Sequence, residues 1–224
     1  MSDRKLIVFD FDGTLVDSQS CFDIGLAEFS DSRSLPHDPI KMMIGYVDPK
    51  KNDLGWGVPL EDQAALFGEF CTFLDHECIE NKRFIPDLYD NVTTVLKTLQ
   101  QDFDLSIITA RSRSTMLVTL EHHGLKEFSP HYRTHCCAKE RNYPIKPEAD
   151  ALHCLLRDTN HVLEDVVMIG DTTADIGMAN AAGTKSIAVL WGAHSAERLQ
   201  PANPTMMIHQ VTEMPAAIKQ IFSR

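Results

Sequence analysis

Asp10 and Asp12 stand two residues apart and are followed at once by Gly13 and Thr14. In extended backbone such a pair projects to one side, and the glycine lets the chain turn tightly beneath it, so both carboxylates can face one pocket. A bare pair repels. A bound cation or protonation of one member relieves the repulsion, and the two then take unlike roles, as an acid/base and a nucleophile require. Asp171 adds a third carboxylate, directly after Gly170, and Asp175 lies one helical turn further on. Carboxylate oxygens suit Mg²⁺ better than zinc, so Asp10, Asp12, Asp171 and Asp175 form the expected metal set and Mg²⁺ is the expected cofactor.

Two further residues fit a phosphate anion. Lys146 offers an ammonium, and Thr109 a hydroxyl donor for a phosphoryl oxygen. With Asp10 and Asp171 ionised, Asp12 protonated and a phosphate dianion bound, the site holds about four negative charges. Mg²⁺ and Lys146 return about three, a near balance that makes such binding feasible in a pocket of low dielectric.

These residues need a frame that gathers them. Leu6 to Phe9, Leu105 to Ile108, Val166 to Ile169 and Ser186 to Leu190 are apolar runs ended by polar or glycine-containing turns. Such runs read as strands buried on both faces. Between them lie helical stripes: Val92, Val95, Leu96 and Leu99; Leu117 and Leu120, closed by Gly124; Ala149, Leu152 and Leu156; and Thr173 to Ala182, stopped by Gly183. The alternation predicts an α/β fold, a Rossmann-like parallel sheet with helices on both faces. In such sheets ligands bind beyond the carboxyl ends of the strands, where the residues above fall. Residues 18–86 break the alternation and predict an inserted α-helical cap, with a helix over Leu60 to Cys78. Residues 1–17 and 87–224 form the core. The last residues return to a short apolar run and an amphipathic helix from Pro215 to Phe222.

Composition narrows the partners. The 224 residues carry 21 basic and 32 acidic side chains, a net charge of −11, which repels nucleic acid and anionic membranes. With no apolar stretch near the roughly 20 residues that span a bilayer and no leader pattern at Met1 to Asp12, a cytoplasmic protein is expected. The six cysteines are scattered and read as free thiols. His131, His135, Cys136 and Cys137 lack a second ligand pair at a usual zinc spacing. The expected partner is a small phosphorylated metabolite, bound by a monomer or homodimer.

FDFDGTLVD at Phe9 to Asp17, Thr109 in IITARS, Lys146 in IKPEAD and GDTTAD at Gly170 to Asp175 together resemble the four signature motifs of the haloacid dehalogenase-like hydrolases. Met168 to Gly192 looks especially like the phosphoglycolate phosphatase-like branch, whose helical cap follows the first motif. The resemblance implies an enzyme, a phosphoric monoester hydrolase. In it Asp10 attacks phosphorus to form an aspartyl-phosphate, while Asp12 protonates the leaving alcohol and then activates water. It also implies that the Asp12 main-chain carbonyl joins Asp10 and Asp171 on the metal, and that Asp175 orients that shell. The implied catalytic residues are Asp10, Asp12, Thr109 and Lys146. The implied substrate-binding residues are Gly13, Thr109, Ala110, Arg111 and Lys146.

An acid at Asp12 favours a phosphatase over a haloalkanoate dehalogenase, which delivers no proton to a leaving alkoxide. Lys50 and Lys51 read as solvated or as substrate-anion contacts, and Trp56 as packed core. A phosphoglucomutase-like phosphotransferase is the alternative enzyme, and a phospho-accepting signalling domain the alternative of another class. The chain departs from the branch after Thr109, where Ala110 and Arg111 replace the usual Asn and Lys. Arg111 is either a bidentate contact for a substrate carboxylate or phosphate, or a surface residue at a helix start.

Overall fold

The computed structural model describes residues 4–36, 56–126, 144 and 146–223. The chain divides into two compact units, Met1–Asp17 with Asp87–Arg224, and Ser18–Pro86. The first unit begins with β1 (Lys5–Phe9) and β2 (Val16–Asp17). The second contains α1 (Gln19–Ser32) and α2 (Leu60–Ile79). The first resumes with β3 (Asp87–Leu88), α3 (Val92–Asp102), β4 (Phe103–Ile107) and α4 (Arg113–His122). It continues through α5 (Asp150–Thr159), β5 (Val166–Gly170), α6 (Thr173–Ala182) and β6 (Lys185–Val189). It ends with α7 (Ala196–Leu199), β7 (Met206–Ile208) and α8 (Met214–Phe222).

Five strands pair in the order β4-β1-β5-β6-β7, every neighbour parallel. This is the α/β architecture the alternation of apolar runs predicts. Side chains alternate across the sheet: Ile7, Phe9, Val167 and Ile169 join one core with Val95 and Leu99 of α3, Leu120 of α4 and Ile218 of α8. Leu6, Val8, Val166 and Met168 join another with Leu152 and Leu155 of α5 and Met178 of α6. Both faces are therefore covered, which is why the strands read as unbroken apolar runs. Strand order reverses at β1, which has β4 on one side and β5 on the other. The carboxyl ends of β1 and β5 frame the crevice where this topology places ligands.

Several details differ from the pattern. The buried face of α4 is Thr115, Met116, Thr119 and Leu120, and Leu117 is only partly buried. Thr119 is accommodated because its hydroxyl donates to the Thr115 carbonyl at 3.0 Å, so no polar group is buried unpaired. Two short elements, β2 and β3, form an antiparallel pair in which Asp17 faces Asp87. The short apolar run near the end is β7, one of the two parallel edge strands of the sheet.

The unit Ser18–Pro86 has its own core of Leu26, Phe29, Trp56 and Phe70. Trp56 is fully buried, and its Nε1–H donates to Ser30 Oγ at 3.0 Å, which satisfies the one polar atom of the indole. Among the described residues, no helix is long and apolar enough to cross a membrane. Cys154 is a free thiol. Gly45, Lys50, Lys51, His131, His135, Cys136 and Cys137 lie outside the described residues.

Candidate active site

The site begins where β1 ends. The Asp10 N–H donates to the Ile169 carbonyl of β5 at 2.8 Å, which holds the two strand ends together past the last sheet pair. The chain then folds back on itself: the Phe11 carbonyl accepts from the N–H groups of Leu15 at 2.9 Å and Val16 at 3.1 Å. Gly13, with φ +76°, makes that turn. A Cβ on Gly13 would lie 2.2 Å from Asp171 Oδ2, so the backbone passes directly beneath that carboxylate. The Gly13 N–H donates to the Val16 carbonyl at 2.9 Å. What this glycine supplies is therefore a close approach of backbone to Asp171.

Asp171 leaves the end of β5 and is fixed from two sides. The Ala193 N–H donates to its Oδ2 at 2.7 Å, and the Thr14 hydroxyl to its Oδ1 at 3.3 Å. Asp175 sits in the first turn of α6 and closes a capping box with Thr172. Its Oδ2 accepts from the Thr172 hydroxyl at 2.6 Å and the Thr172 N–H at 3.0 Å, while the Asp175 N–H is bonded in return by Thr172 Oγ1. A cap alone would use the carboxylate fully, but Oδ1 points elsewhere and accepts from Lys146 Nζ at 2.6 Å. The same ammonium donates to Asp10 Oδ1 at 2.6 Å. Lys146 thus bridges two carboxylates, and ligand-capable oxygens of Asp10, Asp171 and Asp175 lie within 4.8 Å of one another, all three side chains buried.

Among the described residues, three buried carboxylates share one ammonium, so the cluster carries excess negative charge, and its acid–base properties reflect that. Burial pushes the Asp10 carboxyl well above its ordinary range, against the attraction of Lys146 and with added repulsion from Asp175 and Asp171. Burial and then Asp175 push Asp171 up to about 7, although the Ala193 N–H and Lys146 act the other way. Burial by itself would lower the pKa of Lys146, but Asp10 and Asp175 outweigh it and raise it, so the ammonium stays charged. A divalent cation fits this donor set, because oxygen ligands are gathered and their charge is under-compensated.

This excess charge has a measurable consequence. A carboxyl raised from 3.8 to about 7 stabilises the fold fully below its unfolded pKa, and that contribution is lost as pH rises through about 7. The metal-free protein should therefore weaken from pH 4 to pH 8, by roughly 2–4 kcal/mol from this group. Asp171→Asn should flatten that decline. Added Mg²⁺ at pH 8 should raise the urea midpoint of the wild type far more than that of the variant. Equal responses of the two proteins would remove Asp171 from the cation site.

Asp12 is placed differently from Asp10. Its carboxylate turns to Arg111, whose Nε–H donates to Oδ1 and Oδ2 at 3.0 Å each and whose Nη2–H donates to Oδ1 at 2.6 Å. The pair is less buried than Asp10: the Asp12 side chain is 30% exposed, that of Asp10 9%. Arg111, left open by the sequence between a substrate contact and a surface residue, is thus tied to a site carboxylate. Its own N–H donates to Thr109 Oγ1 at 3.1 Å, which leaves the buried Thr109 hydroxyl proton to be given to something else. Ala110 between them is exposed.

The loop after β6 also contributes, without having stood out in the sequence. Besides the Ala193 N–H, its Trp191 Nε1–H donates to the Thr14 carbonyl at 3.1 Å. His194 is 2% exposed, and its Nδ1 accepts from the Thr173 N–H at 3.0 Å, which braces the turn between Asp171 and Asp175. Burial and then Arg198 hold its pKa at about 4, against the pull of Asp175, so the ring is neutral near pH 7. Tyr89 and Trp191 line a neighbouring cleft of about 500 Å³ with Asp17, Asp87 and His209. Burial, then Asp17, Asp171 and Asp12, raise the Tyr89 phenol, so it stays protonated as a donor. Hydrogen bonds that remote groups make, given by the Ala193 N–H and the Trp191 indole and accepted by His194, have no local pattern, so only the fold reveals them.

Residues 7–189 match the model of the haloacid dehalogenase-like hydrolases. The chain belongs to this family. Among the relatives of this hydrolase, a phosphoglycolate phosphatase of Vibrio cholerae is 28% identical over 221 residues, covering 91% of this chain and 92% of its own. A pyrophosphatase of Bacillus pumilus is 24% identical over 213 residues, 95% of each chain. The fold is shared with a haloacid dehalogenase-like hydrolase of Streptococcus pneumoniae, with a TM-score of 0.80 at 21% identity, covering 97% of this chain and all of the other.

Proposed function

We propose that this hydrolase is a Mg²⁺-dependent phosphatase that cleaves a small phosphomonoester, phosphoglycolate-like or a sugar phosphate, through an aspartyl-phosphate at Asp10. Membership of the family, with relatives named phosphatases along the whole length, makes it a phosphoric monoester hydrolase. The observation that carries the finer reading is the buried cluster of Asp10, Asp171 and Asp175 beside the ammonium of Lys146.

Mg²⁺, held by the carboxylates of Asp10 and Asp171 and the Asp12 main-chain carbonyl, with Asp175 orienting them, would neutralise charge on the phosphoryl oxygens. The protein's own groups do the rest. A carboxylate oxygen of Asp10 forms a bond to phosphorus as the bond from phosphorus to the ester oxygen breaks. Asp12 gives its proton to that oxygen, so the alcohol departs neutral. Water then attacks the phosphorus of the acyl phosphate and yields its proton to the Asp12 carboxylate, which frees inorganic phosphate and restores Asp10. Lys146 keeps Asp10 oriented and offsets its charge. The Thr109 hydroxyl donates to a phosphoryl oxygen, its acceptor side being occupied by the Arg111 N–H. Gly13, Ala110 and Arg111 border the substrate, and residues 18–86 are the helical cap in this reading. The enzyme works in the cytoplasm as a monomer or homodimer.

The test is phosphate release from a set of small phosphomonoesters before and after chelation, with Mg²⁺ restored. Release should vanish with the chelator and return with Mg²⁺, and a sugar bisphosphate should yield free phosphate with no transfer to sugar. Failure to release phosphate from any ester with divalent cations present would overturn the reading.

A further inference from the structure

We propose that Arg111 makes this enzyme selective for small phosphate esters that carry a second oxyanion close to the ester oxygen. The inference rests on the reading of Asp12 as the group that meets the leaving oxygen. In the structure both Asp12 oxygens are engaged by one guanidinium, at 2.6 to 3.0 Å. The guanidinium takes one whole edge of the Asp12 carboxylate, so Asp12 meets the leaving group unencumbered only once it turns away from Arg111. The guanidinium is permanently charged and its side chain is only 18% exposed, so parting from its carboxylate is costly unless another anion takes the vacated place.

Three observations fix what that anion must be. Lys146 is held by Asp10 and Asp175, so it is committed to the inner cluster, and among the described residues Arg111 is the cation paired with the more exposed Asp12. The planar guanidinium edge now matched to Asp12 fits a carboxylate or a phosphate equally well. Arg111 is seated beside both Thr109 and Asp12: its main-chain N–H donates to Thr109 Oγ1, and its guanidinium carbon, paired with Asp12, lies 5.9 Å from the centre of the Phe11 ring. Phe11 and Thr109 belong to the turns that carry Asp12 and the phosphoryl-binding hydroxyl. The second oxyanion must therefore sit within a few bonds of the ester oxygen. A substrate of this class displaces Asp12 from Arg111 and so releases it toward the leaving group. A neutral ester has nothing to exchange.

The experiment measures kcat/KM with Mg²⁺ for 2-hydroxyethyl phosphate, phosphoglycolate and ethylene glycol bisphosphate, using wild type, Arg111→Ala and Arg111→Lys. A charge-assisted bidentate contact predicts that the wild type favours the two anionic esters by roughly 10- to 100-fold over the neutral one. The carboxylate and phosphate arms show which oxyanion fits better. In Arg111→Ala the preference should fall to within about threefold of unity, and in Arg111→Lys it should be intermediate, since charge remains without the fork. Structural damage lowers all three esters together, so the ratio reports recognition, and the Lys variant carries the comparison if the Ala variant does not fold. A wild-type ratio near one, or a wild-type ratio kept in both variants, overturns the proposal. An aryl phosphate serves as control. If the wild type cleaves it without preferring anionic esters, selectivity by Arg111 fails while the phosphatase reading stands; if it cleaves none of the four, that reading itself fails.

Discussion

Asp10→Asn should lower kcat by at least about 10³-fold while leaving the protein folded and, without metal at pH 8, at least as stable as the wild type. The two halves of this expectation come from the same geometry. The amide is no nucleophile toward phosphorus, so the covalent route closes. Yet the native carboxylate sits where burial, Asp175 and Asp171 all disfavour its charge, against the favourable pull of Lys146. The amide oxygen can still accept the Lys146 hydrogen bond, while the like-charge repulsion disappears. Loss of turnover with an unchanged or raised melting temperature separates a chemical role for Asp10 from a structural one. Loss of both activity and fold would make Asp10 a structural anchor instead.

Lys146→Met should be the most destabilising of the single changes at the site. It removes the ammonium from a cluster of three buried carboxylates, and breaking a buried pair on one side costs about 3–5 kcal/mol. Removing the charge should hurt more as pH rises, because the carboxylates then ionise, and less with Mg²⁺ present. Activity should fall by at least about 10²-fold through the lost orientation of Asp10. Combining Lys146→Met with Asp10→Asn should recover much of the lost stability, since the double change removes both members of the pair. Denaturant curves of the four proteins give the coupling directly. Simple additivity of the two changes would mean that the ammonium and Asp10 do not interact.

The frame and most of this site were legible in the chain because they arise from local rules. Strands covered on both faces must be apolar throughout, which marks Leu6 to Phe9 and Val166 to Ile169 and hence the residues just after them. Gly183, with φ +79°, ends α6 where a left-handed residue is needed. What the sequence hid is of two kinds. The β2 and β3 strands are two residues each and set Asp17 opposite Asp87, so neither alternation nor charge hints at them. The Arg111–Asp12 pair joins residues 99 apart. An arginine after a strand looks the same whether it points to solvent or to a carboxylate. His194 and the Ala193 N–H act on the turn and the carboxylate from a loop whose only signal is its place after β6.

The claim on which the mechanism turns is that phosphorus is displaced twice, first by a carboxylate of the protein and then by water. It is tested most directly by the stereochemistry of a single turnover. A chiral isotopically labelled thiophosphate ester is hydrolysed in labelled water, and the configuration of the thiophosphate released is read by ³¹P NMR. Two in-line displacements predict retention. Inversion would mean that water attacks the ester in one step, and Asp10 would then have no covalent part in the reaction.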